Sequence, residues 1–295
     1  MSVAAGRSGK IGPDLRVVGA IWRRELLRYA RDRSQLFGAV SRTVLWLIIL
    51  GFGLGAALRD IEGYTYAQYI LPGVVTLNIL FASLQSAIAL VWDREVGLLR
   101  EVLVSPAGMP AVTLGKVLGG ATISLVQGSI PLLAIPFLGL DFGPLRLLLA
   151  WVVMFCMGTL VTSFGVIIAS RMRTFEGFGS ISNGIIQPLY FLSGSIFPLK
   201  GIVGGVGFLD IPAPLRAELR ELGIFAIGSG WVVQLPTWLE VLVFANPLSY
   251  QLDLLRYFIL GFQQLPLWLD YLAVAVLPLL ALAVATLMMN RLRQR

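Results

Sequence analysis

Five stretches of this chain carry no charged residue from end to end: Tyr66 to Trp92, Val117 to Leu140, Leu147 to Ser170, Gly177 to Leu199 and Tyr271 to Asn290. A helix rises about 1.5 Å per residue, so each can cross roughly 30 Å of hydrocarbon. A sixth apolar run, Thr43 to Leu58, reaches spanning length when extended back to about Phe37, with Arg42 expected to snorkel to the headgroups. With 57% hydrophobic and 13% charged residues and a mean hydropathy of +0.83, the chain reads as an all-α integral membrane protein. The expected spans cover about 37–58, 66–92, 117–140, 147–170, 177–199 and 271–290, within one domain over 1–295.

Ahead of the first span, Leu15, Val18, Trp22, Leu26 and Tyr29 share one helical face, and Arg16, Arg23, Arg24 and Arg31 lie away from it. This spacing predicts an amphipathic helix over about 13–34, lying in the membrane interface. Placing the N-terminus inside puts 17 of the 23 basic residues on the cytoplasmic side and 6 outside. The positive-inside rule therefore sets both termini and the 93–116 loop in the cytoplasm. A cleaved signal peptide is not expected, because the first apolar block begins far from the N-terminus.

The segment 200–270 reads as an outer-face cap. Its apolar run Leu222 to Val233 and its Trp-rich piece Leu235 to Tyr250 are too short to span, and are expected to be re-entrant or interfacial helices with Trp231, Trp238 and Trp268 at the headgroups.

Several classes are disfavoured. With no histidine and one cysteine, Cys156, no His/Cys metal site or disulfide framework can form. The run Gly51-Phe52-Gly53-Leu54-Gly55 looks like a phosphate loop but sits inside an apolar span, where close helix packing is the better reading. Gly115-Lys116 follows Pro110 rather than glycine and precedes Val117 rather than Ser or Thr, so no Walker A loop is present. The polar side chains within the spans are Asn78, Gln85, Gln127, Asn183, Gln187 and hydroxyls, candidates for lining a pathway or for joining helices. An ion-coupled secondary transporter or an intramembrane lipid-processing enzyme is expected to place ionisable residues there, which counts against both alternatives.

The break between the second and third spans is different, charged at Asp93, Arg94, Glu95, Arg100 and Glu101 and closing on Ser105-Pro106. The order Glu95, Gly97, Arg100, Leu103, Ser105, Pro106, then Leu114-Gly115-Lys116, resembles the signature of ABC-2 type permeases, the membrane subunits of ATP-binding cassette exporters. Two further strings agree: Phe191-Leu192-Ser193-Gly194-Ser195-Ile196-Phe197-Pro198, and Leu235-Pro236 with Trp238-Leu239, followed by Asn246-Pro247-Leu248-Ser249-Tyr250 with Asp253 and Arg256. The sequence departs from the family between Leu199 and Gln234, an insertion where the family usually runs nearly directly from one string to the next.

The resemblance implies a non-catalytic permease in a bacterial inner membrane, paired with a second copy or a similar permease. ATP and Mg²⁺ would be bound by a separate ATPase subunit, and nucleic acid has no part. Glu95, Gly97, Arg100, Ser105, Pro106 and Lys116 would then serve ATPase coupling, and Asn246, Pro247, Tyr250, Asp253 and Arg256 the outer-face motif. An amphipathic substrate, whether drug, natural product, lipid or glycolipid/polysaccharide, is the implied class of cargo. In a Cys156→Ala background, Ser105→Cys should react with impermeant thiol reagents only from the inside and Ser229→Cys mainly from the outside; labelling of both from one face contradicts the topology.

Overall fold

The computed structural model describes residues 15–55, 61, 63–95, 108–140, 143–172, 174–196, 202–204, 225–227, 230–232 and 237–293. Helix α1 (Leu15–Arg31) leads into α2 (Arg33–Trp46), which is capped by Asp32 and prolonged by a π-helical stretch, Leu47–Leu54. Next come α3 (Tyr66–Glu95), α4 (Met109–Ser129) with two short 3₁₀ turns to Leu138, α5 (Pro144–Arg171) and α6 (Phe175–Leu192). The chain ends with α7 (Thr237–Ala245), α8 (Pro247–Leu260) and α9 (Leu267–Arg293).

Among the described residues, five helices are long and apolar enough to cross a membrane: Arg33–Gly51, Tyr66–Asp93, Met109–Leu138, Pro144–Arg171 and Leu267–Arg291. The expected span over 177–199 is represented by α6, which stops at Leu192 because Gly194 takes a left-handed φ of +78°. Although shorter and more polar than the others, α6 runs the same course as α3 in the opposite direction. At one end the Phe175 amide meets Glu95, and at the other the Gly194 carbonyl meets Tyr69.

The bundle has two distinct ends. Lys116 meets Asp93, Glu95 meets Phe175, and Arg171 reaches Met288, which gathers the basic helix ends. At the opposite end Gln68 donates to the Leu138 carbonyl and Tyr64 to that of Leu260. Helices α3 and α5 form the centre, with 72% and 67% of their spanning windows buried, against 17% for α2 and 28% for α9. Their shared core includes Val75, Ile79, Met154, Met157, Leu160, Leu255 and Ile259.

Small residues set the closest approaches. A Cβ on Gly51 would lie 3.1 Å from that of Ala67, so Gly51 packs closely on α3, while Gly53 meets open space. On α4, Gly115 and Gly119 form a groove for α1. A Cβ on Gly115 would sit 2.9 Å from the Val18 carbonyl oxygen, and one on Gly119 2.9 Å from the Glu25 Cβ. Helix α1 therefore runs alongside α4, and its apolar stripe is largely spent on that helix: Val18, Glu25 and Tyr29 are buried, while Trp22 is partly exposed and donates to Thr122.

The 200–270 segment differs from the expected all-helical cap. Strands β1 (Ile202–Gly204), β2 (Phe225–Ile227) and β3 (Gly230–Val232) pair antiparallel in the order β1-β3-β2. Within the apolar run 222–233, the described residues 225–227 and 230–232 are thus paired strands rather than helix. Helix α7 leaves Trp238 66% exposed, whereas α8 enters the bundle and is buried along nearly its whole length.

Gly119→Val should cost about 1–3 kcal/mol by overpacking the α1 groove, while Gly53→Ala, which meets open space, should stay within about 0.5 kcal/mol; thermal unfolding of the purified chain checks both.

Candidate transport site

At the basic end, the loop that joins α3 to α4 is anchored by an ion cluster. Lys116 Nζ lies 2.8 Å from Asp93 Oδ2 and 3.5 Å from Glu25 Oε1, and Arg24 reaches the same two carboxylates at 3.4 and 3.2 Å. Glu25, Lys116 and Asp93 are 4%, 6% and 8% exposed. Two cations and two carboxylates balance, which is how buried charge is tolerated. Gly115 admits α1 and Lys116 then finds Glu25, so this part of the motif has a structural reason. Lys116, expected to serve ATPase coupling, has its ammonium enclosed between α1, α3 and α4.

Glu95, by contrast, is exposed at the last residue of α3. Its Oε1 accepts the Phe175 N–H at 3.3 Å, at the start of α6, where a carboxylate suits the helix N-terminus. Thr174 caps the same end through Gly177 N, and the Trp92 and Phe175 rings meet edge-on at 5.8 Å. Gly97, Arg100, Ser105 and Pro106 lie outside the described residues.

At the opposite end the second and third motif strings interlock. Asn246 caps α8 by accepting from Leu248 N at 3.0 Å and donates to the Leu189 carbonyl at 2.7 Å; Pro247 takes the first helical position. Tyr250 donates to the Phe244 carbonyl at 2.6 Å. Asp253 accepts the backbone N–H groups of Gln264 and Leu265, at 2.8 and 2.7 Å to Oδ2, and pairs with Arg256 at 3.3 Å. Arg256 is 0% exposed, donates to the Gly194 carbonyl at 2.6 Å and lies over the Tyr69 ring at 4.8 Å. Gly73 makes room for this turn, since a Cβ there would fall 2.3 Å from the Ser195 carbonyl oxygen.

The expected pathway residues separate into two groups. Asn78 and Gln127 are fully buried: Asn78 bonds Thr43 and Arg42, while the Gln127 amide faces the Tyr29 hydroxyl without hydrogen-bond contact. Gln85 is exposed and lines a pocket with Arg28, Tyr29 and Gln35. Asn183 and Gln187 are exposed on one face of α6 and line a cleft against Leu77, Leu80, Phe81 and Leu84 of α3.

The expectation that the bundle holds no buried charge is overturned. Besides the Lys116 cluster and the Asp253–Arg256 pair, Asp270 is 0% exposed with neither carboxylate oxygen hydrogen-bonded, beside Asp253. Arg42 also turns inward, its Nε donating to Asn78 Oδ1 at 2.7 Å, rather than snorkelling. These groups lie near span ends in sequence, and packing of neighbouring helices draws them inside. Glu25 was missed although its spacing from Val18 and Tyr29 puts it on the apolar face of α1, a position where a lone acid calls for a buried partner.

A multi-pass helical bundle with exposed amides between two of its long helices is built for transport. The family model for the ABC-2 type transporter matches residues 16–209, and the chain belongs to that family. It is similar to the inner membrane transport permease YadH of Escherichia coli (strain K12), 25% identical over 259 residues covering 84% of each chain. It is also similar to nodulation protein J of Rhizobium leguminosarum bv. viciae, 24% identical over 197 residues, 66% of this chain and 75% of that one. The protein is accordingly a membrane permease of the ABC-2 class.

Lys116→Met leaves Glu25 and Asp93 sharing only Arg24 and should lower stability by about 3–5 kcal/mol in thermal unfolding, with much of the loss recovered in the neutral triple variant Glu25→Gln/Asp93→Asn/Lys116→Met. An unchanged midpoint for Lys116→Met would contradict the enclosed cluster.

Proposed function

We propose that this chain forms half of an export pathway, with a second copy or a similar permease supplying the other half, and that a separate ATPase drives it. The observation that carries this reading is the contact between Glu95 and the first amide of α6. Glu95 stands at the foot of the 96–107 loop, and α6 presents Asn183 and Gln187 on an exposed face of a helix that runs the length of α3. A pull on the loop therefore acts directly on the helix that lines the polar cleft.

The Lys116 cluster gives that pull a rigid base, because it ties α1, α3 and α4 together, with Asp93 two residues before the end of α3. ATP binding would draw two ATPase subunits together, and the loops would carry the motion into the spans as a rigid-body tilt. The opposite end, closed by Arg256 and Gly194, supplies the second gate. Gathering of Arg24, Lys116, Arg171 and Arg291 near one end supports six spans with both termini in the cytoplasm of an inner membrane. The chain lacks a phosphate-binding loop, which supports placing ATP and Mg²⁺ on the partner.

Glu95→Ala and Arg100→Ala should each change stability by no more than about 0.5 kcal/mol. Both should reduce the ATPase activity that copurifies with the tagged chain, or its dependence on the permease, whereas Arg216→Ala should not. Normal assembly and normal ATP turnover in the Glu95→Ala/Arg100→Ala double variant would overturn the assignment of the loop.

A further inference from the structure

Among the described residues Arg42 has no counter-ion, and it meets α3 well inside that helix. Its hydrogen-bond partner Asn78 lies 12 residues after the first residue of α3 and 17 before the last, about 18 Å and about 26 Å along the helix. The Asn78 amide is spent, its oxygen on Arg42 and its nitrogen on Thr43 Oγ1 at 2.7 Å. Among the described residues only Nε of Arg42 is hydrogen-bonded, and no carboxylate lies within ion-pair distance. Arg256, the other arginine enclosed in the bundle, has Asp253.

The guanidinium lies 4.2 Å from the centre of the Phe81 ring, and Phe81 lines the cleft between α3 and α6. One side of that cleft is apolar, with Leu77, Leu80 and Ile186; the other carries the exposed amides of Asn183 and Gln187. An ionisable group inside a span is costly and marks a transport path. A guanidinium with its terminal N–H groups open takes carboxylate, phosphate or sulfate in a two-pronged bond, and it repels a cation.

We propose that Arg42 is the charge-selecting residue of the pathway and that the cargo is an amphiphile with an acidic group. The acidic group meets Arg42 beside Phe81 while the apolar part lies along Leu77, Leu80 and Ile186. This deepens the export reading of the same cleft and rests on it for the word cargo; the binding itself needs no ATPase.

The test uses three photoreactive dodecyl amphiphiles, with phosphate, glucose and trimethylammonium heads, cross-linked to the full-length chain in maltoside micelles and mapped by peptide mass spectrometry. Labelling of α3 and α6 by the phosphate probe should exceed that by the ammonium probe about tenfold, as one charge-assisted hydrogen bond predicts. Arg42→Gln should bring phosphate labelling down to the glucoside level, and Arg42→Lys should keep most of it. Asn183→Leu should weaken labelling by all three probes and leave their order unchanged. Equal phosphate labelling in wild type and Arg42→Gln, or preference for the ammonium head, overturns the proposal. If Arg42→Gln loses its monodisperse profile, Arg42→Lys and the wild-type order of the three heads decide it. Selective labelling of a chain that copurifies with no ATPase would instead sink the export reading and leave the site standing.

Discussion

Hydrocarbon offers no hydrogen bonds, so every charge drawn into this bundle must find its partner within the chain or in something the chain binds. Three cationic side chains show the consequences. Lys116 is satisfied by two carboxylates from two other helices. Arg256 has Asp253, Gln264 and the Gly194 carbonyl on its two terminal nitrogens. Arg42 has, among the described residues, one amide oxygen and the face of a phenyl ring. The first two sites tie the ends of the bundle, and the third lies between them beside the cleft.

This division explains why the motif residues are what they are. Gly115 lets the backbone of α1 approach and Lys116 then neutralises Glu25 and Asp93. At the other end Gly73 clears space for Ser195, Gly194 turns the chain, and Arg256 bonds the carbonyl that the turn presents. Much of the family signature is thus joinery. Among the described candidate residues, those left exposed include Glu95 at the end of α3, Gln85, and Asn183 and Gln187 on α6.

On the proposed export reading these joints form a transmission. Helix α1 is tied to α4 and α3, and α6 begins on Glu95. The two are held differently, the first by an enclosed ion cluster and the second by an exposed hydrogen bond and the edge-on contact of Trp92 with Phe175. On that reading α6 is the element that shifts against α3, and those two helices form the walls of the polar cleft.

By itself the sequence determined the membrane class, the helical spans, the amphipathic α1, the break at 93–116 and the family, because long charge-free runs and ordered motif strings are local signals that need no partner to be read. It also carried the packing role of Gly51. Only the tertiary structure decided which charges would be inside. Glu25 and Lys116 lie 91 positions apart, and Arg256 meets a carbonyl 62 positions away, so neither pairing has a sequence spacing to betray it. The inward turn of Arg42 was likewise settled by Asn78, 36 residues on, because a side chain that can reach either the headgroups or the bundle goes where its hydrogen bonds are. The strands of the 200–270 segment were also decided there, since a short apolar run fits a strand or a helix equally well until another strand pairs with it.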